Sequence, residues 1–459
     1  MVGRAAVVVG IGRRSAVVGC NQIVATRLPS ARTLGRAVVF QTASSAWRPS
    51  ENATANKLCC CRALYQKQTA KLSRTMKQKI FTAAFIDTVR SIFSDKGVLL
   101  MLVIAPVIYG FFYPWPYSTQ AARRIPAAIV DYDKSTLSQR IIRMAEASPR
   151  LDVRVMPSEN DAKTALWEGE IGGYMVLLAG LKNDVMMQRP ARAGVLANGS
   201  YLLVSKEVQT GFAEVVGTVS AGIQIKRLQA GGMTPEQAFA AQNPIPFAVQ
   251  VQYNPTQGYG NYVVPGVAVL IVQQLLMMGS ALLVGTWREQ KRQYATMQAW
   301  AGRIAALSVM GWLMSLFYFG WVFYIQDYGR GQNIGGMLAF TLLFAPTVAT
   351  LGCLFGLWFQ KRERSLQLLM FTSIPMFFLS GYAWPAELLP LPLQWLRWLI
   401  PSTAGIQASV RFNQIGTPFA DAAYLLLVLS VLLALFVLVL WCYVGKTRPQ
   451  AAESVGDNG

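Results

Sequence analysis

The chain has 459 residues, 42 Lys and Arg against 22 Asp and Glu, no histidine, 53% hydrophobic residues and 14% charged ones. A charged share this far below the roughly 25% of soluble domains, with apolar residues gathered into runs of ~18 to 25, excludes a string of soluble domains and predicts a multi-span membrane protein. Without an imidazole, His-based triads, HExxH zinc sites, haem-His ligation and histidine proton relays are excluded as well.

Residues 1–75 hold twelve bases, Arg4, Arg13, Arg14, Arg27, Arg32, Arg36, Arg48, Lys57, Arg62, Lys67, Lys71 and Arg74, against Glu51 alone, which is +11 of the net +20. A basic, acid-poor leader rich in Ala, Val and Ser reads as an extension that is disordered or outside the mature fold. An organellar transit peptide and a basic cytoplasmic tail are the alternatives, and Met76 opens a second start, MKQKIF. The triplet Cys59, Cys60 and Cys61 has the chemistry for acylation or metal binding, but it lacks ligand partners nearby and reads as incidental. With Cys20 also in the extension and Cys353 and Cys442 in apolar runs, no disulfide-stapled exterior is implied.

From residue 76 to 96, Phe81, Ala84, Phe85, Thr88, Val89, Ile92 and Phe93 fall at spacings of three and four, which predicts an amphipathic helix lying on the bilayer surface. A first span follows at Gly97–Tyr113, with Pro106 as a kink and Tyr113, Trp115 and Tyr117 as an interfacial belt. Further spans are predicted at Val263–Trp287, Ile304–Ile325, Met337–Phe359, Leu366–Trp384 and Tyr424–Val444.

The short loops set the orientation. Lys77, Lys79 and Arg90, then Arg288, Lys291, Arg292 and Arg303, then Lys361, Arg362 and Arg364, then Lys446 and Arg448 all fall on one side, so that side is cytoplasmic. Six spans then place both termini, including a tail at 446–459, in the cytoplasm and residues 118–262 outside. Twelve of the 22 acids sit in that outer stretch, as expected of a solvated domain. It reads as α/β: strands at IPAAIVDY, DVRVM, GGYMVLL and AGVLA, helices over 135–147 and, capped by Ser158, 158–168, and a long amphipathic helix over 205–230. A short helix opens at Thr234-Pro235-Glu236-Gln237. The whole is a mainly α-helical polytopic membrane protein of six transmembrane helices with an inserted extracytoplasmic α/β domain.

Between the fifth and sixth spans, residues 385–405 are too Pro-broken to cross, with Pro385, Pro390, Pro392 and Pro401, yet rich in Leu, Trp and Ile. They are expected to lie in or re-enter the outer face, held by Trp384, Trp395 and Trp398.

The surface helix before Gly97, IVDYDKSTLSQRI at the start of the outer domain, YNPTQGYGNYVVPG leading into the second span and GYAWPAELLPLPLQWLRWLIPSTAGI after the fifth carry a resemblance. From Met76 onward the chain resembles the permease subunit of an ATP-binding-cassette exporter, of the class with six spans and a large domain after the first. The resemblance implies a second permease, the same chain or a sister, and an ATP-binding-cassette subunit on the cytoplasmic side, in the bacterial inner membrane. A periplasmic adaptor is compatible with it, the lipid bilayer is the surrounding partner, and no nucleic acid is implied. No cofactor is expected on this chain: it has no GxxxxGK[ST], so ATP and Mg belong to the partner subunit. The family's short coupling helix corresponds to Arg288–Gly302, which makes Arg288, Glu289, Lys291, Arg292 and Tyr294 the expected docking residues, although the usual Glu-rich, Gly-Thr loop is replaced here by QYATMQAW. On the same resemblance, Trp395 and Trp398 belong to the exit route, where an ordinary interfacial helix is the alternative. The cargo it suggests is a drug, antibiotic or lipid.

Gln273 and Gln274, deep in the second span, either touch cargo or bond between helices. An ion-driven transporter would need ionisable groups at mid-membrane, which the spans do not supply. A membrane receptor or scaffold with an outer ligand-binding domain has no need of the re-entrant segment. A membrane enzyme lacks any recognisable pair of catalytic groups.

Overall fold

The computed structural model describes residues 6–11, 14–19, 75–119, 123–359 and 361–456; Cys20, the Cys59–Cys61 triplet and most of the N-terminal extension lie outside them. Two compact units divide the chain: Met1–Phe85 with Gln298–Gly302, and Ile86–Met297 with Arg303–Gly459. In the first, β1 (Ala6–Ile11) and β2 (Arg14–Gly19) pair antiparallel, with Ala6 opposite Gly19 and Ile11 opposite Arg14. Helix α1 covers 75–94, in place of the expected 76–96. On it Thr88 and Ile92 are fully buried while Phe81 and Phe93 stay exposed, so the apolar stripe is narrower than the spacing predicts.

Among the described residues five helices are long and apolar enough to cross a membrane: α2 (Lys96–Tyr117), α8 (Tyr259–Glu289), α9 (Met297–Ile325), α10 (Ile334–Phe359) and α14 (Phe419–Lys446). The expected fifth span comes out instead as the 18-residue helix α11, Arg362–Leu379. It begins on Arg362, Glu363 and Arg364 and stops five residues before Trp384, and these charges keep it out of the apolar set. The most apolar window of α8 is 83% buried, against 28% in α2 and 33% in α14, so α8 is the central helix. Close approach of α10 to α8 needs glycine: a Cβ on Gly352 would stand 2.7 Å from the Met277 carbonyl oxygen, and one on Gly356 2.7 Å from that of Ala281. This is the small-xxx-small packing that lets helices associate where no water drives them together.

Between α2 and α8 lies a four-stranded mixed sheet in the order β4-β3-β5-β6. β3 (Ile125–Asp131) pairs parallel with β4 (Leu151–Met156) and β5 (Gly173–Leu177), and β5 antiparallel with β6 (Ala193–Ala197). Alternation along β3 explains the layers. Ile125, Ala127 and Ile129 share a core with Ile141 and Ile142 of α3 (Thr136–Glu146) and with Val208 and Phe212 of α6 (Leu202–Ala230). Ala128 and Val130 face Ala162 and Ala165 of α4 (Glu159–Glu168). Ser135 and Thr234 form complete capping boxes on α3 and on α7 (Pro235–Gln242), although α5 between β5 and β6, Leu181–Met186, has no counterpart in the sequence reading.

Candidate functional site

The segment after α11 is a hairpin that dips along α8. It runs through a 3-10 turn at Ala386–Leu388, α12 (Leu391–Leu396), a second 3-10 turn at Arg397–Leu399, and α13 (Pro401–Ser409), which continues as a π-helical stretch, Val410–Ile415. Its prolines open these short helices, where a missing N–H costs nothing, and prevent one long helix. Tyr382, at its start, stacks on Tyr262 of α8, and Gln414, at its end, donates to the Asn261 carbonyl at 3.3 Å. Its middle lies deeper: Gln273 Nε2 donates to Ser402 Oγ at 3.1 Å. Eleven residues separate Tyr262 from Gln273, so the hairpin descends about 16 Å at 1.5 Å per residue and returns.

Gln273 is fully buried and Gln274 nearly so, and both Nε2 atoms approach the Met376 sulfur of α11, at 3.4 and 3.6 Å. The two glutamines therefore join α8 to α11, and Gln273 joins it to α13 as well. Their Oε1 atoms are buried without partners among the described residues. Trp384 and Trp395 are exposed, and Trp398 is half-buried under the Arg397 guanidinium, 4.6 Å from the ring centre. The tryptophans thus edge the hairpin and are not brought to Gln273 and Gln274.

The opposite end of the helices is charged. Asp95 caps α2 by accepting from the Gly97 and Val98 amides, and Arg362 grips it with two hydrogen bonds of 2.5 and 2.6 Å. Thr286 of α8 donates to the same carboxylate and accepts from Arg362, tying three helices together. Burial opposes the Asp95 charge, but the Arg362 guanidinium and the two amides outweigh it and hold the carboxyl below its ordinary range.

Nearby, Arg292 pairs with Asp87 of α1, Arg303 donates to the Arg292 carbonyl at 2.8 Å and lies 4.2 Å over the Trp287 ring, and Arg288 donates to the Leu357 carbonyl. Helix α8 ends where Lys291 adopts φ +56 and the Lys291 and Arg292 amides fold back to the carbonyls of Arg288 and Trp287. Because of that closure, no separate short helix stands between Arg288 and Gly302; a connection over 290–296 leads straight into α9. Of the expected docking residues, Glu289, Lys291 and Tyr294 are exposed, whereas Arg288 and Arg292 are engaged as described. Asp95, Thr286 and Arg362 were missed as a group, although Ser94-Asp95 before an apolar run is a helix-start signal.

Geometry and sequence therefore agree on a class: a mostly helical multi-span membrane protein with a charged end and a hairpin dipping beside its central helix. The model for the ABC-2 family transporter protein matches residues 96–443, and the chain belongs to that family. Its members are the membrane permeases of ATP-binding-cassette transporters, with ATPase activity on a separate subunit, so this chain is such a permease and works with an ATP-binding partner. Comparison with curated proteins gave no match.

Proposed function

We propose that the chain is one half of an ATP-driven exporter, pairing with itself or a sister permease and moving a hydrophobic or amphipathic molecule outward. The observation that carries this reading is the hairpin beside α8: a Pro-built amphipathic segment reaching about 16 Å down the central helix suits a path for cargo and has no use in a plain anchor. Helix α11 crosses as the fifth of six spans in this arrangement. The charged end, with Asp87, Asp95, Arg292 and Arg362, is cytoplasmic by the distribution of Lys and Arg, and the sheet domain lies outside.

ATP and Mg bind on the partner subunit, which docks at the exposed Glu289, Lys291 and Tyr294. Closure of the ATPases pushes the 288–302 segment as a lever on α8 and α9. The Asp95, Thr286 and Arg362 contacts pass that push to α2 and α11. With its few intramembrane charges the path suits drugs, antibiotics or lipids, and the setting is a bacterial inner membrane, with a periplasmic adaptor where the outer domain needs one.

The test is affinity purification from mild detergent, with ATP-dependent accumulation of a lipophilic fluorescent dye in inverted vesicles. A stoichiometric ATP-binding subunit, lost together with dye transport when 288–302 is replaced by a Gly-Ser linker, is the expected result. A permease dimer recovered without ATPase in several detergents overturns the reading and favours a receptor or scaffold.

A further inference from the structure

A cavity of about 640 Å³ opens between the C-terminal part of α9 and the N-terminal half of α10, and it shares no lining residue with the Gln273–Ser402 contact or with the charged end. Its size is that of a site for a small amphiphile. Phe319, Trp321, Tyr324 and Leu338 make the walls apolar, and Arg330 and Asn413 are the lining residues that carry strong hydrogen-bond donors. Two π-helical turns shape it: Phe317–Val322 carries Phe319 and Trp321, and Val410–Ile415 carries Asn413. Such turns often mark functional sites, since the wider turn displaces side chains from their α-helical positions.

Asn413 is 3% exposed, and its Oδ1 accepts from the Gly331 amide at 2.7 Å, which fixes the amide plane. Its Nδ2 has no partner among the described residues. Leaving a buried amide unmet is costly, so this group calls for an acceptor. The Arg330 guanidinium lies 4.8 Å over the Tyr324 ring, and among the described residues only Nη1 is engaged, by the carbonyls of Phe323 and Tyr328 at 3.3 and 3.2 Å and by exposed Asp327 at 3.8 Å. An oxyanion fits two such donors, because a guanidinium presents a fork of N–H groups and an amide NH2 adds a neutral donor.

We propose that this cavity binds an amphiphile with an oxyanion head, phosphate or carboxylate, the head held by Asn413 Nδ2 and Arg330 and the apolar body lying against Phe319, Trp321 and Leu338. The same chemistry is carried by a two-chain bilayer lipid and by a soluble single-chain amphiphile. The assignment concerns binding alone and does not rest on export.

Native mass spectrometry of the purified full-length chain tests it in two arms: dodecyl phosphate added in dodecyl maltoside, and phosphatidylglycerol retained on release from nanodiscs of phosphatidylglycerol and phosphatidylcholine. One bound oxyanion amphiphile per chain is expected, with no retention of dodecyltrimethylammonium. Asn413→Asp keeps the acceptor for the Gly331 amide but sets a negative oxygen where Nδ2 was, and it lowers occupancy at least tenfold. Leu338→Trp, at a half-exposed wall position, fills the cavity and abolishes binding, so it decides the matter if Asn413→Asp fails to fold. Retention of the lipid alone identifies a bilayer occupant, and binding of dodecyl phosphate alone a soluble one; either supports the site. Failure of both probes to bind, or binding unchanged in Leu338→Trp, overturns it. Dye transport in vesicles is read separately, so loss of one result leaves the other intact.

Discussion

Tyr262 and Tyr382 stack nearly parallel, ring centres 5.2 Å apart at 15°, and each hydroxyl donates to the other's backbone carbonyl. Their contact closes the top of the hairpin against α8. Gly266, one turn further along α8, makes it possible, because a Cβ there would meet the Tyr382 ring at 2.3 Å.

Gly266→Ala therefore has to expel the Tyr382 ring. A loss of about 1–3 kcal/mol is expected, the usual cost of overpacking. In a Tyr382→Ala background the same substitution is close to neutral, since the ring it displaces has gone. Unfolding midpoints of the four chains in detergent make the comparison, and an equal cost of Gly266→Ala in both backgrounds would refute the account.

Asp95→Asn removes one member of a largely buried, doubly hydrogen-bonded ion pair and is expected to destabilise the chain by about 2 kcal/mol at pH 7. The folded carboxyl titrates below its unfolded value, so the stabilisation is fully present above about pH 4 and disappears as pH falls through the folded pKa. Thermal midpoints of wild type and Asp95→Asn should run parallel from pH 8 to about pH 5 and converge only in stronger acid. Convergence near neutrality would show that another group governs the difference.

Lys291 and Glu289 separate stability from docking. Lys291→Gly relieves a positive φ and should stabilise the end of α8 by roughly 1 kcal/mol, seen as slower amide exchange there. Glu289→Lys touches an exposed residue, so its melting temperature is expected to match wild type while recovery of the ATP-binding subunit drops. Full recovery would remove Glu289 from the docking surface.

Gln273→Met deletes the interhelical hydrogen bond to Ser402, worth about 1 kcal/mol in membranes, and the weaker contact with the Met376 sulfur, along with a buried carbonyl oxygen that has no partner among the described residues. Little change in stability and normal dye transport are expected of a glutamine that serves to join helices. Normal stability with transport lost would instead mark it as a cargo contact.

Local signals survived the passage from sequence to structure. The Ser158 and Thr234 caps were legible because each cap bonds within three residues of itself. Five of the six predicted spans follow from apolar runs alone, though each of the five helices extends beyond its predicted range. What remained hidden depends on distant partners. Asp95 and Arg362 lie 267 residues apart and Gln273 and Ser402 129, and no periodicity announces either meeting. The helix Leu181–Met186 went unread for the same reason, since its first turn leans on Asp133, whose carboxylate accepts from the Lys182 amide. The expected coupling helix failed on a local detail, Lys291 taking a conformation that usually belongs to glycine.

The first and third spans each carry a π-helical stretch, Leu100–Ile104 and Phe317–Val322, and near them the Tyr318 hydroxyl donates to the Pro106 carbonyl at 2.8 Å. A π turn stores one residue more than an α turn of the same height. Handing that residue to the next turn rotates everything beyond it by about 100°, the angle one residue subtends in an α-helix, while most of the ladder of backbone bonds stays closed. Such a helix can turn a new face to its neighbours without leaving the membrane or parting from its fixed end.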